Sequence, residues 1–250
     1  ILIRMQAVKR GAEAQTLPML PHLWFRDTWW MEPEAALPEL KALPAHQGAS
    51  VIQARHETLG TLFLYAEGGP ELLFTGNATN NERLFGTPNE TPYVKDAFHE
   101  AVIHGRTEAV NPEQTGTKSA AHYVVTVGPG ATETIRLRLT RQSPDDDYAP
   151  FGPAWEQSFT ARINETNGFY ADITPESLSP DQQNILRQSL AGMLWSKQYY
   201  FFDLDLWLRE RGANPITGGT RSSRNRDWFH MINDDILSMP DKWEYPWYAA

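Results

Sequence analysis

Hydrophobic residues in this chain keep one period up to about residue 142 and another beyond it, and that switch limits the possible folds more than any other feature. In "SVIQARHE", "TLFLYAEG" and "ELLFTGN" short runs rich in Val, Ile, Leu, Phe and Tyr end at Gly-containing turns, the pattern of an antiparallel meander. The segment "AHYVVTVGPGATETIRLRLT" reads as the clearest hairpin. Tyr123, Val125 and Val127 alternate up to a Gly-Pro-Gly turn, and Ile135, Leu137 and Leu139 alternate back against Arg136 and Arg138, which predicts one apolar and one wet face. One helix interrupts the alternation at "YVKDAFHEAVIHG", with Val94, Phe98, Ala101 and Val102 on a shared face and Gly105 as C-terminal cap. No fixed-period repeat is visible, which argues against propellers and solenoids.

The stretch "RQSPDDDYAPFGP" breaks the pattern and reads as a linker. Beyond it the period becomes 3.6. Trp155, Phe159 and Ile163 recur at helical spacing, and a long helix is expected from Ser179 as N-cap, through Pro180 at its first position, to Gly212. Leu186, Leu190, Met193, Leu194 and Lys197 form its stripe, and between Met193 and Trp207 it is apolar on nearly every side, as a helix enclosed by other helices would be. The expected organisation is therefore an antiparallel β-sandwich over 1–142, a linker with one helix over 143–178, and the opening of a helical domain over 179–250. Residues 213–250 show no sustained period, and a long loop rich in aromatic residues points to function rather than disorder.

Composition narrows the ligand. With 12% aromatic residues and nine Trp among 250, the chain has faces to spare for stacking on flat apolar ligands, sugars or bases. A net charge of −9 opposes the nucleic-acid reading, which needs clustered cations to displace counterions. The chain has no Cys, so disulfides, thiolate metal sites and a Cys nucleophile are excluded and a reducing, cytoplasmic location is suited. It begins at Ile1, which leaves open whether a signal peptide precedes it. The longest apolar run, around Leu62 to Tyr65, is far too short for a bilayer. Sequons stand at Asn77, Asn89 and Asn164, and Asp145, Asp146 and Asp147 form a run that either ligates calcium or is a solvated acidic turn. The His residues are scattered, so neither a metal nor another cofactor is expected.

The strings "AGMLWSKQYYFFDLDLWL" and "RNRDWFHMINDDILSMPDKWEYPWYAA" resemble bacterial proteins of glycoside hydrolase family 63, the relatives of mannosyl-oligosaccharide α-glucosidase and mannosylglycerate hydrolase. "LPHLWFRDTWW", "LLFTGNATNNERLF", "PYVKDAFHEAVIHG" and "AVNPEQTGTKSAAHY" are similar to the N-terminal domain of the same group. The resemblance implies a β-sandwich, a helical linker and the first helix of an (α/α)6 barrel, in a fragment of an inverting α-glycosidase acting on an oligosaccharide or small glycoside. It places the family's general acid, an Asp in a Trp-Asp motif, two residues beyond Ala250, and the general base later still. The fragment itself is then expected to be inactive, because inversion needs a protonated carboxyl and a carboxylate about 6.5 to 9.5 Å apart.

For this chain the resemblance implies a sugar pocket rather than a catalytic pair. Trp243, Trp247 and Tyr248 would stack on a pyranose, while Arg224, Asn225, Asp227 and Glu244 would hydrogen-bond its hydroxyls. For each the competing reading is structural: aromatic packing between helices, or a loop network in which Arg224 and Asp227 pair. Lys197 and Gln198 on the long helix face the same choice. An alternative from another class is a non-catalytic β-sandwich that binds carbohydrate or a protein partner, with a helical tail.

Overall fold

The computed structural model describes residues 1–25, Trp29 and residues 36–238. They fall into two compact units, Ile1–Arg162 and the described part of Ile163–Ala250.

In chain order the first unit holds β1 (Leu2–Val8), β2 (Gln15–Met19), β3 (His22–Trp24), β4 (Glu39–His46), β5 (Ala49–His56), β6 (Gly60–Ala66) and β7 (Glu71–Thr75). The short helices α1 (Asn81–Phe85) and α2 (Ala97–His104) follow, then β8 (Thr115–Gly116), β9 (Lys118–Val127) and β10 (Thr132–Thr140). One sheet has the order β1-β10-β6-β5-β4-β8, and in the other β9 pairs with β2, β3 and β7. All the pairings are antiparallel. Leu40, Ile52, Leu64 and Leu137 from the first sheet pack with Phe74 and Ala121 from the second, so the two sheets meet face to face around one core.

The strongest hairpin signal resolves differently from its expectation. β9 and β10 do not pair with each other: β10 lies between β1 and β6, and β9 belongs to the opposite sheet. The Gly-Pro-Gly turn, with Gly130 at φ 69° and Ala131 N–H donating to Gly128 O at 3.0 Å, carries the chain across the core. Alternation fixes which side of each strand is apolar, and two apolar sides can face across a sandwich as readily as lie abreast. Arg136 and Arg138 are also not on a wet face. Residues 148–159 cover that side of the sheet, with Arg4 4.4 Å from the Phe159 ring centroid, Arg136 5.4 Å from that of Trp155 and Arg138 4.9 Å from that of Tyr148. Arg136 also pairs with Glu67 and Glu156. Trp155 is fully buried, its ring stacked on Phe159, and Tyr148 and Phe151 pack against Val51 and Phe63. The acidic run closes on itself, with Ser143 N–H donating to Asp146 and Ser143 Oγ bonded to Asp145.

α2 ends at Gly105 in the left-handed conformation, and Phe98 is buried, as the pattern predicts. Two sequons are occupied by structure: Asn77 Nδ2 donates to Phe25 O at 2.8 Å and Asn89 Nδ2 to Asn80 Oδ1 at 3.1 Å.

α3 (Pro153–Ile173) carries Trp155 and Phe159 and runs across the boundary between the units. The second unit continues with α4 (Pro180–Trp195), β11 (Lys197–Asp203), α5 (Leu204–Glu210) and β12 (Ile232–Ser238). Ser179 caps α4 as expected, its side chain accepting from Gln182 N–H while the Gln182 side chain accepts from Ser179 N–H.

The expected long helix, and with it the (α/α)6 barrel, is corrected here. Among the described residues there are twelve strands in three sheets and five α-helices, and no barrel arrangement of helices. After Trp195 the chain switches to a strand that pairs antiparallel with β12, Tyr199 opposite Ile236 and Phe201 opposite Asp234. Consecutive aromatic residues in "KQYYFFD" favour a pleated surface. Their uniform apolarity, which suggested an enclosed helix, is shared between the two faces of a ribbon. Asp203 then starts α5 anew, its carboxylate accepting from Leu206 N–H at 2.9 Å. Lys197 and Gln198 consequently lie on β11 rather than on a helix.

Candidate functional site

The region that sequence reasoning marked as a site is the connection from α5 to β12. Its anchor is Asn214, fully buried. Its amide donates to Asp205 Oδ1, and its Oδ1 accepts from Ile216 N–H at 2.9 Å and Thr217 N–H at 3.2 Å. Asp205 also pairs with Arg209 one turn along α5. Asn214 O accepts from Gly219 N–H at 2.8 Å, and a Cβ on Gly219 would lie 2.6 Å from Asn214 N and 2.7 Å from Gly212 O. Only glycine permits that approach.

From this folded base the loop runs outward and returns. Arg226 donates to Gly219 O at 3.1 Å, bracing the outgoing strand of the loop against the incoming one. Asn225 takes the left-handed conformation (φ 61°, ψ 19°), and Arg226–Trp228 form one 3-10 turn. Phe229 and Met231 then pack on Leu204, Leu208 and Ala213, joined by Phe202 and Trp207, and Leu204 N–H donates to Met231 O at 3.1 Å.

Between these anchors Arg224, Asn225 and Asp227 stand exposed on neighbouring positions of the turn, beside Trp228, which is 61% exposed. The ring of His230 lies 6.3 Å from that of Trp228. The structure thus brings three of the expected site residues together. Trp243, Glu244, Trp247 and Tyr248, the other four, lie outside the described residues. Asn214, Arg226, Trp228 and His230 went unmarked in the sequence. "GANPITGG" does carry a turn signal around Asn214, whereas nothing local marks Arg226 as the residue that bonds Gly219 O across the loop.

A carboxylate acceptor, a guanidinium fork, an amide and an indole face on one turn can hold a polyhydroxylated ligand by its hydroxyls and its C–H face. The electrostatics of the adjoining ribbon include one perturbed group: Tyr199 is raised above its usual range, first by its hydrogen bond to Asp234. No group of three or more His, Asp or Glu side chains suited to a metal occurs among the described residues, and no described helix is long and apolar enough to cross a membrane.

No known family model matches the chain. A protein of Saccharomyces cerevisiae, itself described as uncharacterized, is 33% identical to it over 265 residues, an alignment that covers 94% of this chain and 24% of the yeast protein. The chain therefore spans about a quarter of the length of the curated relative it matches.

Proposed function

We propose that this chain is part of an α-glycosidase and that the turn at 224–228 supplies binding contacts for the sugar. Asp227 accepts hydrogen bonds from neighbouring hydroxyls, Arg224 donates through its fork, Asn225 does either, and Trp228 offers a flat apolar face to the ring. The general acid and base of an inverting reaction are not assigned to residues of this chain. Its contribution is to fix the orientation of the ring on which those groups act.

One observation carries the reading. Hydrogen bonds from Asn214 and Arg226 brace the loop and Phe229 and Met231 anchor it, and Asn225, Asp227 and Trp228 stand exposed on that frame. Braced loops with exposed polar and aromatic groups are the usual carriers of binding function. The proposed ligand class rests on the resemblance of "RNRDWFHMINDD" to family 63 sequences.

The test uses the full-length protein. It should hydrolyse an activated α-glucoside or a glucosylglycerate, and Asp227→Ala should lower kcat/KM by about 10- to 1000-fold, equivalent to about 1.4 to 4 kcal/mol, with its thermal midpoint almost unmoved. Absence of turnover on every α-glycoside offered, or unchanged kinetics in Asp227→Ala, would overturn the assignment.

A further inference from the structure

We propose that the first unit carries its own binding site for a neutral sugar, in a groove on the outer face of its six-stranded sheet. Residues 148–159 cover this face over β1, β10 and β6 and reach β5 and β4 only at the Val51 and His46 end. What remains open is a cavity of about 480 Å³, within the range of roughly 300 to 1,000 Å³ typical of small-ligand sites.

The groove is built by register. Glu39 and Lys41 of β4 stand opposite Arg55 and Gln53 of β5, and by the alternation of a strand all four project from the same face. Phe63, opposite Gln53 on β6 and buried, closes the floor. Asp145 lines the facing wall. Two cations and two anions leave the lining without net charge, and Arg55 and Glu39 are only at the outer limit of pairing, 4.0 Å apart. Donors and acceptors in balance around an apolar floor suit a ligand with many hydroxyls, a C–H face and no charge. A nucleotide or a carboxylate ligand would demand an excess of cations instead.

The wall is pre-shaped. Tyr65 OH donates to Gln142 O at 2.9 Å, the His46 ring is bonded through Nε2 to Tyr148 O at 2.8 Å, and Ser143 N–H donates to Asp146 at 2.9 Å. The first two bonds tie residues 142–148 to β6 and β4, and the third closes the segment on itself. The groove therefore needs little ordering on binding, which removes a main cost of association.

The inference does not depend on hydrolysis and is tested separately from it, by nuclear magnetic resonance titration of the whole chain with maltotriose. Saturable shifts are expected at the Leu43 and Ala45 methyls and the Gln53 side-chain amide, with little dependence on salt because neither lining nor ligand carries net charge. Gln53→Ala and Arg55→Ala should each weaken binding about tenfold, the near-isosteric Gln53→Glu should weaken it without disturbing the sheet, and Glu133→Ala on β10 should change nothing. Groove shifts without any hydrolysis by the full-length protein would support this site while removing the glycosidase reading. No saturable shift in the groove, as for a solvated sheet surface, or shifts confined to 197–231, would overturn it.

Discussion

The two units use their hydrophobic residues in opposite ways. In the first, both faces of the six-stranded sheet carry a packed apolar cluster: Ile52, Leu64 and Leu137 face the second sheet, and Val51, Phe63 and Tyr65 lie toward Tyr148 and Phe151. In the second, the described core is Leu204, Leu208 and Ala213 with a few partners, while Trp195, Tyr199, Phe201 and Ile236 are each more than half exposed. A sheet packed on both faces opens only by breaking many contacts at once, whereas a two-stranded ribbon on a small cluster opens locally. The difference puts the proposed groove on the more constrained first unit and the proposed sugar contacts at 224–228 on the less constrained second one.

The largest expected effect lies in the first unit. Trp155→Ala removes the buried indole between Arg136 and Phe159 and should cost about 3 to 5 kcal/mol, read as a lowered denaturation midpoint. Its counterpart in the second unit, Asn214→Ala, removes hydrogen bonds to Asp205, Ile216 and Thr217 and should cost about 1 to 3 kcal/mol, read as faster amide exchange at 212–231 with the first unit unmoved. If Asn214→Ala shifted both units equally, the comparison would break.

A smaller effect concerns pH. His22 sits on β3 with its ring centroid 5.3 Å from that of Phe98. Partial loss of hydration beside Phe98 first, then the charges of Lys118 and His99, hold this surface residue's imidazole below its ordinary value of 6.5. The unfolded chain therefore takes up this proton at higher pH than the folded one, so the folded state loses stability as pH falls through 6.5 and His22 contributes no such loss above it. His22→Gln should flatten the fall in thermal midpoint between about pH 7.5 and about pH 5.5. An unchanged slope would place the sensor elsewhere.

How much of this was legible in the sequence follows from what each pattern encodes. Alternation in "SVIQARHE" and "TLFLYAEG" yields β5 and β6, and local capping chemistry locates Gly105 and Ser179. Partner choice is not local, which is why β9 and β10 read as a hairpin although they lie in opposite sheets. "KQYYFFD" shows the limit of apolarity as a signal, since a run apolar on all sides fits an enclosed helix or a paired strand, and its pairing with "INDDILS" lies some 30 residues away in sequence. At the proposed site, Arg224, Asn225 and Asp227 are expectations carried by the family resemblance, whereas the frame around them depends on Asn214 and Arg226, whose roles come from burial and a bond across the loop.

Hydrogen exchange on the intact chain tests the contrast between the two units most directly. Backbone amides of β5, β6 and β10 should exchange at least about 100-fold more slowly than those of β11 and β12. Equal protection of β11 and β12 in a monomer would contradict the account, because the ribbon would then be as firmly held as the sheet and the proposed contrast between the units would not exist.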